Sequence, residues 1–198
     1  MVTKIIALWL GATVGCTPHV ASVETTAVDT NAEVVEEEVI YGIQADGVCG
    51  HAVGDEICDL ILKDQNDEDW SLHELEGNVV VLDFSAMWCA PCQSAASTVQ
   101  TTQDYFESEG FSYVTVLIDD PTADTIELEE VQDWASSYGI TTATVLQGSR
   151  DLISSSPSEG YPISSWPTFV FVDRELNVYW GIYGFNEEYI RTVVEEML

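Results

Sequence analysis

The sequence predicts an α/β fold built as one main domain, and three observations carry that reading. Residues 79–84 are almost all apolar, as a strand buried on both faces must be, and a helix-compatible stretch follows at 93–106. A second apolar run at 111–118 is followed by Val131, Trp134, Ala135 and Tyr138 at helical spacing, so strands and helices alternate. The chain closes with two strand-like runs, 168–172 and 178–183, joined by a short polar turn, and then an amphipathic stretch marked by Ile190, Val193, Val194 and Met197. In 198 residues there is room for one domain of about 150 residues plus an appendage.

In chain order, residues 1–15 hold one Lys at position 4, an apolar run at 5–10 and small residues up to Cys16. A membrane span needs about 20 apolar residues, so this reads as an export signal. Thr13-Val14-Gly15-Cys16 resembles the lipobox of bacterial lipoproteins, with Thr13 where Leu is usual. The resemblance implies that Cys16 is lipidated and becomes the first residue of the mature chain. An ordinary signal peptide with an incidental Cys16 is the alternative. Thr17 is not the Asp that marks inner-membrane retention in many such proteins, which favours the outer membrane. Residues 16–43 are rich in Thr, Val, Ala and Glu, with Glu36-Glu37-Glu38 near their end, and read as an acidic flexible tether ahead of a domain at 44–198.

Within the domain, residues 57–62 form a candidate strand and 64–69 its turn. The run 79–84 is interrupted by Asp83, and a buried carboxylate is costly unless neutral or paired. Asp83 either serves the chemistry that follows or caps the strand end at solvent. After the helix marked by Ala95, Ala96, Val99 and Phe106 and the strand 111–118, Asp119-Asp120-Pro121 breaks the chain. Gly139 stops the next helix, 141–146 is a short strand, and 147–161 is a polar loop. The formal net charge of −30, from five Lys and Arg against 35 Asp and Glu, argues against nucleic acid or an anionic membrane surface as partner. Solubility, or life in salt, accounts for it simply.

The chemistry lies in Trp88-Cys89-Ala90-Pro91-Cys92, between a strand and a helix. Two thiols at this spacing can close a disulfide or open it. Cys89 falls at the start of the helix, where free N–H groups and the macrodipole stabilise negative charge by roughly 0.3 to 2 kcal/mol. Pro91 suits the first turn because it has no N–H to lose. Cys89 is thus the attacking thiolate at the surface, and Cys92, deeper in the helix, the resolving thiol.

Residues 81–92, Val-Leu-Asp-Phe-Ser-Ala-Met-Trp-Cys-Ala-Pro-Cys, resemble the active-site strand and turn of the thioredoxin superfamily. Trp166-Pro167-Thr168-Phe169-Val170-Phe171-Val172-Asp173 resembles its second hallmark, a cis-proline leading into a strand. The resemblance covers about 44–198 and is nearest the extracytoplasmic TlpA-like branch. It implies a thioredoxin-like fold with a central mixed β-sheet flanked by helices, and a short helical turn at 70–77. It implies that Asp83 exchanges protons with the resolving thiol, and that Trp88, Pro91, Trp166 and Pro167 form the docking surface. Trp166 departs from the small or aliphatic residues usual there. No cofactor or metal is implied. The partners are thiols and disulfides of exported proteins and an upstream membrane electron donor, and the membrane is met through a lipid anchor only, facing the periplasm.

With Cys16 lipidated and Cys89 paired with Cys92, Cys49 and Cys58 remain for a structural disulfide, as suits an exported protein. Zinc is the rival, although their spacing is not that of a zinc knuckle. A peroxidase relative would carry Thr where Ala86 stands, and a copper-chaperone relative a His late in the chain, whereas the last is His73. His19, His51 and His73 read as surface residues. A different class of function is a non-catalytic binding module in which Cys89–Cys92 is a permanent staple.

Overall fold

The computed structural model describes residues 39–45, 49–156 and 159–198. Cys16, the signal-like residues 1–15, most of the expected tether and His19 lie outside the described residues.

A small antiparallel sheet comes first, with β1 (Gly42–Gln44), β2 (Asp59–Lys63) and β3 (Asp69–Ser71) in that order. β1 begins inside the stretch expected to be tether, at Gly42 and Ile43. Trp70 and Ser71, expected in a helical turn, extend into β3, and the turn is a 3-10 segment confined to Leu72–Leu75. Just before β2, Cys49 and Cys58 form a disulfide across a separation of 9 residues. Closing a loop of that size restricts the unfolded chain and contributes about 2–3 kcal/mol. It also leaves neither sulfur as a thiolate for zinc, so the rival reading of this pair fails.

The main sheet contains β4 (Val79–Ala86), β5 (Phe111–Asp119), β6 (Thr144–Gln147), β7 (Thr168–Val172) and β8 (Val178–Tyr183), ordered β6-β5-β4-β7-β8. β4 runs parallel to β5, and β5 to β6, whereas β7 is antiparallel to both β4 and β8. The sheet is therefore mixed, with β4 at its centre. Every residue of β4 is buried, which requires cover on both faces. Three helices, α1 (Ala90–Phe106), α2 (Leu128–Tyr138) and α3 (Glu187–Met197), supply it on one face. Ala95, Val99 and Phe106 of α1, Trp134 of α2 and Val194 of α3 join Val79 and Val81 in one cluster. The opposite face, carrying Val80, Leu82 and Phe84, is covered by Leu60, Leu62 and Leu72 and by Leu152, Tyr161 and Ile163. The last three belong to or adjoin the segment read as a polar loop. Each such side chain, fully buried, contributes roughly 1.5–3 kcal/mol.

Local chemistry sets the helix ends. α1 starts earlier than residue 93, because Cys89 is its N-cap residue and Pro91 fits its first turn. α2 ends where Gly139 takes a left-handed φ of 65° and returns its N–H to the Ala135 carbonyl. α3 begins at Asn186, whose side-chain oxygen accepts the Tyr189 N–H at 3.0 Å. Among the described residues, no helix is long and apolar enough to cross a membrane.

Candidate active site

Strand β4 carries the chain through the core and releases it at Ala86, where two backbone bonds fix the turn. Met87 N–H donates to the Asp119 carbonyl at the end of β5 (3.0 Å), and Cys89 N–H donates to the Ala86 carbonyl (3.1 Å). Cys89 then caps α1 with extended backbone angles, φ −86° and ψ 115°, while its Sγ accepts the Cys92 N–H at 3.4 Å. A thiolate at this place meets unpaired N–H groups and the positive end of the helix. Both cysteines are free thiols. Cys89 is 5% exposed and Cys92 is wholly buried, so little of the first cysteine reaches solvent, less than the sequence reading expects. Ala86, Cys89 and Cys92 form a small cluster against which Trp166 packs. The Trp166–Pro167 bond is cis, and Pro167 is buried.

Asp83 does not cap the strand at solvent. It is 1% exposed, on the α1 side of the sheet. The Ser85 hydroxyl donates to Oδ1 at 2.7 Å, and the Tyr113 hydroxyl to Oδ2 at 3.4 Å. Burial raises its carboxyl from 3.8 to about 7, although both hydroxyls pull the other way. Among the described residues no cation joins it: Lys63 pairs with Asp67 and Asp69, Arg150 with Asp119, Arg174 with two backbone carbonyls, and Arg191 lies over the rings of Tyr105 and Phe106. Burial also lifts the Cys92 thiol far above its ordinary range, helped by the bond to Cys89 and the charge on Asp83.

Trp88 is 45% exposed beside the cysteines, yet its ring is fastened from behind. Its Nε1 donates to Asp119 Oδ2 at 3.1 Å. Asp119 is fully buried, and Arg150 compensates its charge through Nε to Oδ1 (2.8 Å) and Nη2 to Oδ2 (2.6 Å). Removing one partner of such a pair costs far more than the pair contributes, because it strands a buried charge. Asp119, read from sequence as part of a chain break, thus ends β5 and anchors the active-site turn. Arg150 was silent in the sequence, a lone cation in a polar loop.

The structure brings Cys89, Cys92, Asp83, Trp88 and Trp166 into one neighbourhood, with Pro91 exposed on the first turn of α1 and Pro167 next to Trp166. Cys49 and Cys58 are engaged with each other elsewhere. His73 is not a surface residue: it is half-buried, with Nε2 2.9 Å from the Ile57 carbonyl oxygen. Ser85 escaped the sequence reading although the two-residue period of a strand puts it on the same face as Asp83.

Residues 53–180 match the AhpC/TSA family. The chain belongs to that family. Among curated proteins, the thiol-disulfide oxidoreductase ResA of Halalkalibacterium halodurans is 24% identical over 145 residues, covering 72% of this chain and 75% of its own. ResA of Geobacillus thermodenitrificans is 22% identical over 127 residues, 64% of this chain and 67% of its own. Among solved structures, a thioredoxin-family thiol:disulfide interchange protein from Chlorobium tepidum superposes with a TM-score of 0.58 at 21% identity, over 77% of this chain and 99% of that one. A secreted thiol-disulfide isomerase from Corynebacterium glutamicum gives 0.61 at 18% identity, over 80% and 97%. The AhpC/TSA chain described here therefore has a thioredoxin-like fold.

Proposed function

We propose that this protein is an exported thiol-disulfide oxidoreductase that reduces or exchanges disulfides in partner proteins through Cys89 and Cys92. Cys89 attacks a partner disulfide, and Cys92 resolves the mixed disulfide. Asp83 takes and returns the proton of Cys92, and Trp88, Pro91, Trp166 and Pro167 form the docking surface. The observation that carries this reading is Asp83 itself. A carboxyl buried without a cation destabilises the fold, and a group poised at about 7 beside a buried thiol repays that cost only if a proton has to move. A binding module stapled by Cys89–Cys92 has no use for it. Peroxidase chemistry lacks the Thr it would need, since Ala86 offers no hydroxyl.

The potential of the Cys89/Cys92 pair decides between enzyme and module. Titration of the purified protein against a glutathione or dithiothreitol series should place it between about −270 and −120 mV, the range of catalytic pairs. A value below about −300 mV, typical of structural disulfides, would support the module instead.

The proposed organisation is a signal peptide at 1–15, an acidic tether at 16–43 and the redox domain at 44–198. A lipid on Cys16 would hold the domain at a membrane facing the periplasm, where exported proteins and a membrane electron donor are within reach. Export is supported by the secreted relative from Corynebacterium glutamicum. Cys16→Ala should move the protein from the membrane to the soluble fraction after cell breakage. Unchanged sedimentation with membranes would remove the lipid anchor from the proposal.

A further inference from the structure

We propose that Ser85 is the proton relay between the Cys92 thiol and the Asp83 carboxyl. The inference rests on the reading of Cys89 and Cys92 as a redox pair and adds a residue to its mechanism. Ser85 lies two positions after Asp83 in β4, so the pleat puts both side chains on the face of the sheet that carries Val79 and Val81. α1 covers that face, and Cys92 sits buried in its first turn. Ser85 is 1% exposed, its Oγ donates to Asp83 Oδ1 at 2.7 Å, and the Cys92 thiol feels both the Ser85 hydroxyl and the Asp83 charge. A serine hydroxyl has one donor and two acceptor sites, so it can accept S–H from one side while donating to a carboxylate on the other.

The groups bearing on Asp83 are few. Ser85 shares its strand, Tyr113 reaches it from β5, Cys92 faces it from α1, and Glu187 of α3 acts on Tyr113. On β7 the residue opposite is Phe169, which is apolar.

The step balances without any further reagent. In the mixed disulfide, Cys92 S–H passes its proton to Ser85 Oγ as the Ser85 proton moves to the Asp83 carboxylate. The Cys92 thiolate attacks Cys89 Sγ, so the Cys89–Cys92 bond forms and the bond from Cys89 to the partner sulfur breaks. The partner sulfur leaves as a thiolate with the electron pair. The dithiol has lost two electrons and the partner disulfide has gained them, and the proton on Asp83 passes to solvent or to the departing thiolate.

The test mixes the reduced full-length protein with dithiobis(nitrobenzoate) in a stopped-flow instrument. Cys89 attack releases one coloured thiolate and Cys92 resolution releases the second, so one trace reads both steps. Ser85→Ala should leave the first phase unchanged and slow the second by about 100-fold or more, since a positioned proton-transfer group typically contributes about 100- to 10,000-fold. Its second phase should also reach half-maximum at higher pH, because the Ser85 bond holds the Asp83 carboxyl down and its loss keeps that group protonated longer. Ser85→Thr, which keeps the hydroxyl, should restore the second phase. A second phase at the original rate in Ser85→Ala, equal slowing of both phases, or a Ser85→Thr no faster than Ser85→Ala would overturn the relay. Absence of two phases in the unaltered protein would instead sink the redox-pair reading, so the two failures are told apart by which protein fails.

Discussion

Cys89→Ser should lower disulfide turnover by about 1,000-fold or more, because a serine hydroxyl stays protonated where a thiol ionises and the first bond to the partner cannot form. Cys92→Ser should fail differently. Its Cys89 still attacks, with its sulfur still accepting an N–H at the start of α1, so one partner molecule becomes attached and stays attached. The pair of variants therefore assigns roles rather than importance. Mass spectrometry after exposure to a protein disulfide should find the adduct on Cys92→Ser and none on Cys89→Ser. An adduct on Cys89→Ser through Cys92 would reverse the assignment. That outcome runs against the burial of Cys92 and the high proton affinity of its thiol, which together keep it un-ionised until the mixed disulfide brings an electrophile to it.

What the sequence revealed and what it hid follow from where the signals are local. β4 and β5 were legible because strands buried on both faces read as continuous apolar runs, and α2 because Val131, Trp134, Ala135 and Tyr138 keep a helical period to a glycine stop. The cysteine turn was legible because its five residues carry its chemistry in order. β1 and β3 were not, since each has 3 residues and takes its identity from pairing with β2 and not from its own pattern. The cover on the second face was hidden for a similar reason. Leu152, Tyr161 and Ile163 sit among polar neighbours with no period, and only the folded chain shows that Tyr161 packs its ring 4.6 Å from Phe84.

The same distinction explains the active site. Asp83 stands out as the one charge in an apolar run, but Asp119 sits at the end of its run, where an acid usually marks a turn. Its burial becomes visible only when β4 and β5 align so that Ala86 lies opposite Asp119 and Trp88 swings over it. Arg150, far along the chain, then closes the arrangement from the loop after β6. In a chain with so few cations, a guanidinium committed to one buried carboxylate beside the reactive turn keeps Trp88 fixed without leaving Asp119 uncompensated.

Asp83→Asn should make the reduced protein more stable at alkaline pH and a slower enzyme. The folded-state carboxyl titrates at about 7 against an ordinary 3.8, so between those values the folded state holds a proton that the unfolded chain has released. Stability therefore falls as pH rises through that window, by about 1.4 kcal/mol per pH unit, and levels off above 7, a total of about 4 kcal/mol. Asparagine is nearly the same shape and never ionises. Its side-chain oxygen can accept from Ser85 while its NH2 donates to the Tyr113 hydroxyl, so no buried polar group is orphaned. At pH 8 the variant should gain about 2–4 kcal/mol in urea denaturation, and at pH 4, where Asp83 is neutral, the two proteins should nearly coincide. The resolving step should slow by about 100-fold or more at neutral pH, since an amide cannot take the Cys92 proton. Equal urea midpoints at pH 8 would mean that burial does not raise the Asp83 carboxyl above its ordinary value, and its part in moving protons would have to be withdrawn. A gain in stability with unimpaired resolution would keep the burial cost but leave it without a function. Only the combination of a more stable fold and a slower second step fits a carboxyl that β4 holds in the core at the expense of stability so that a thiol can give up its proton there.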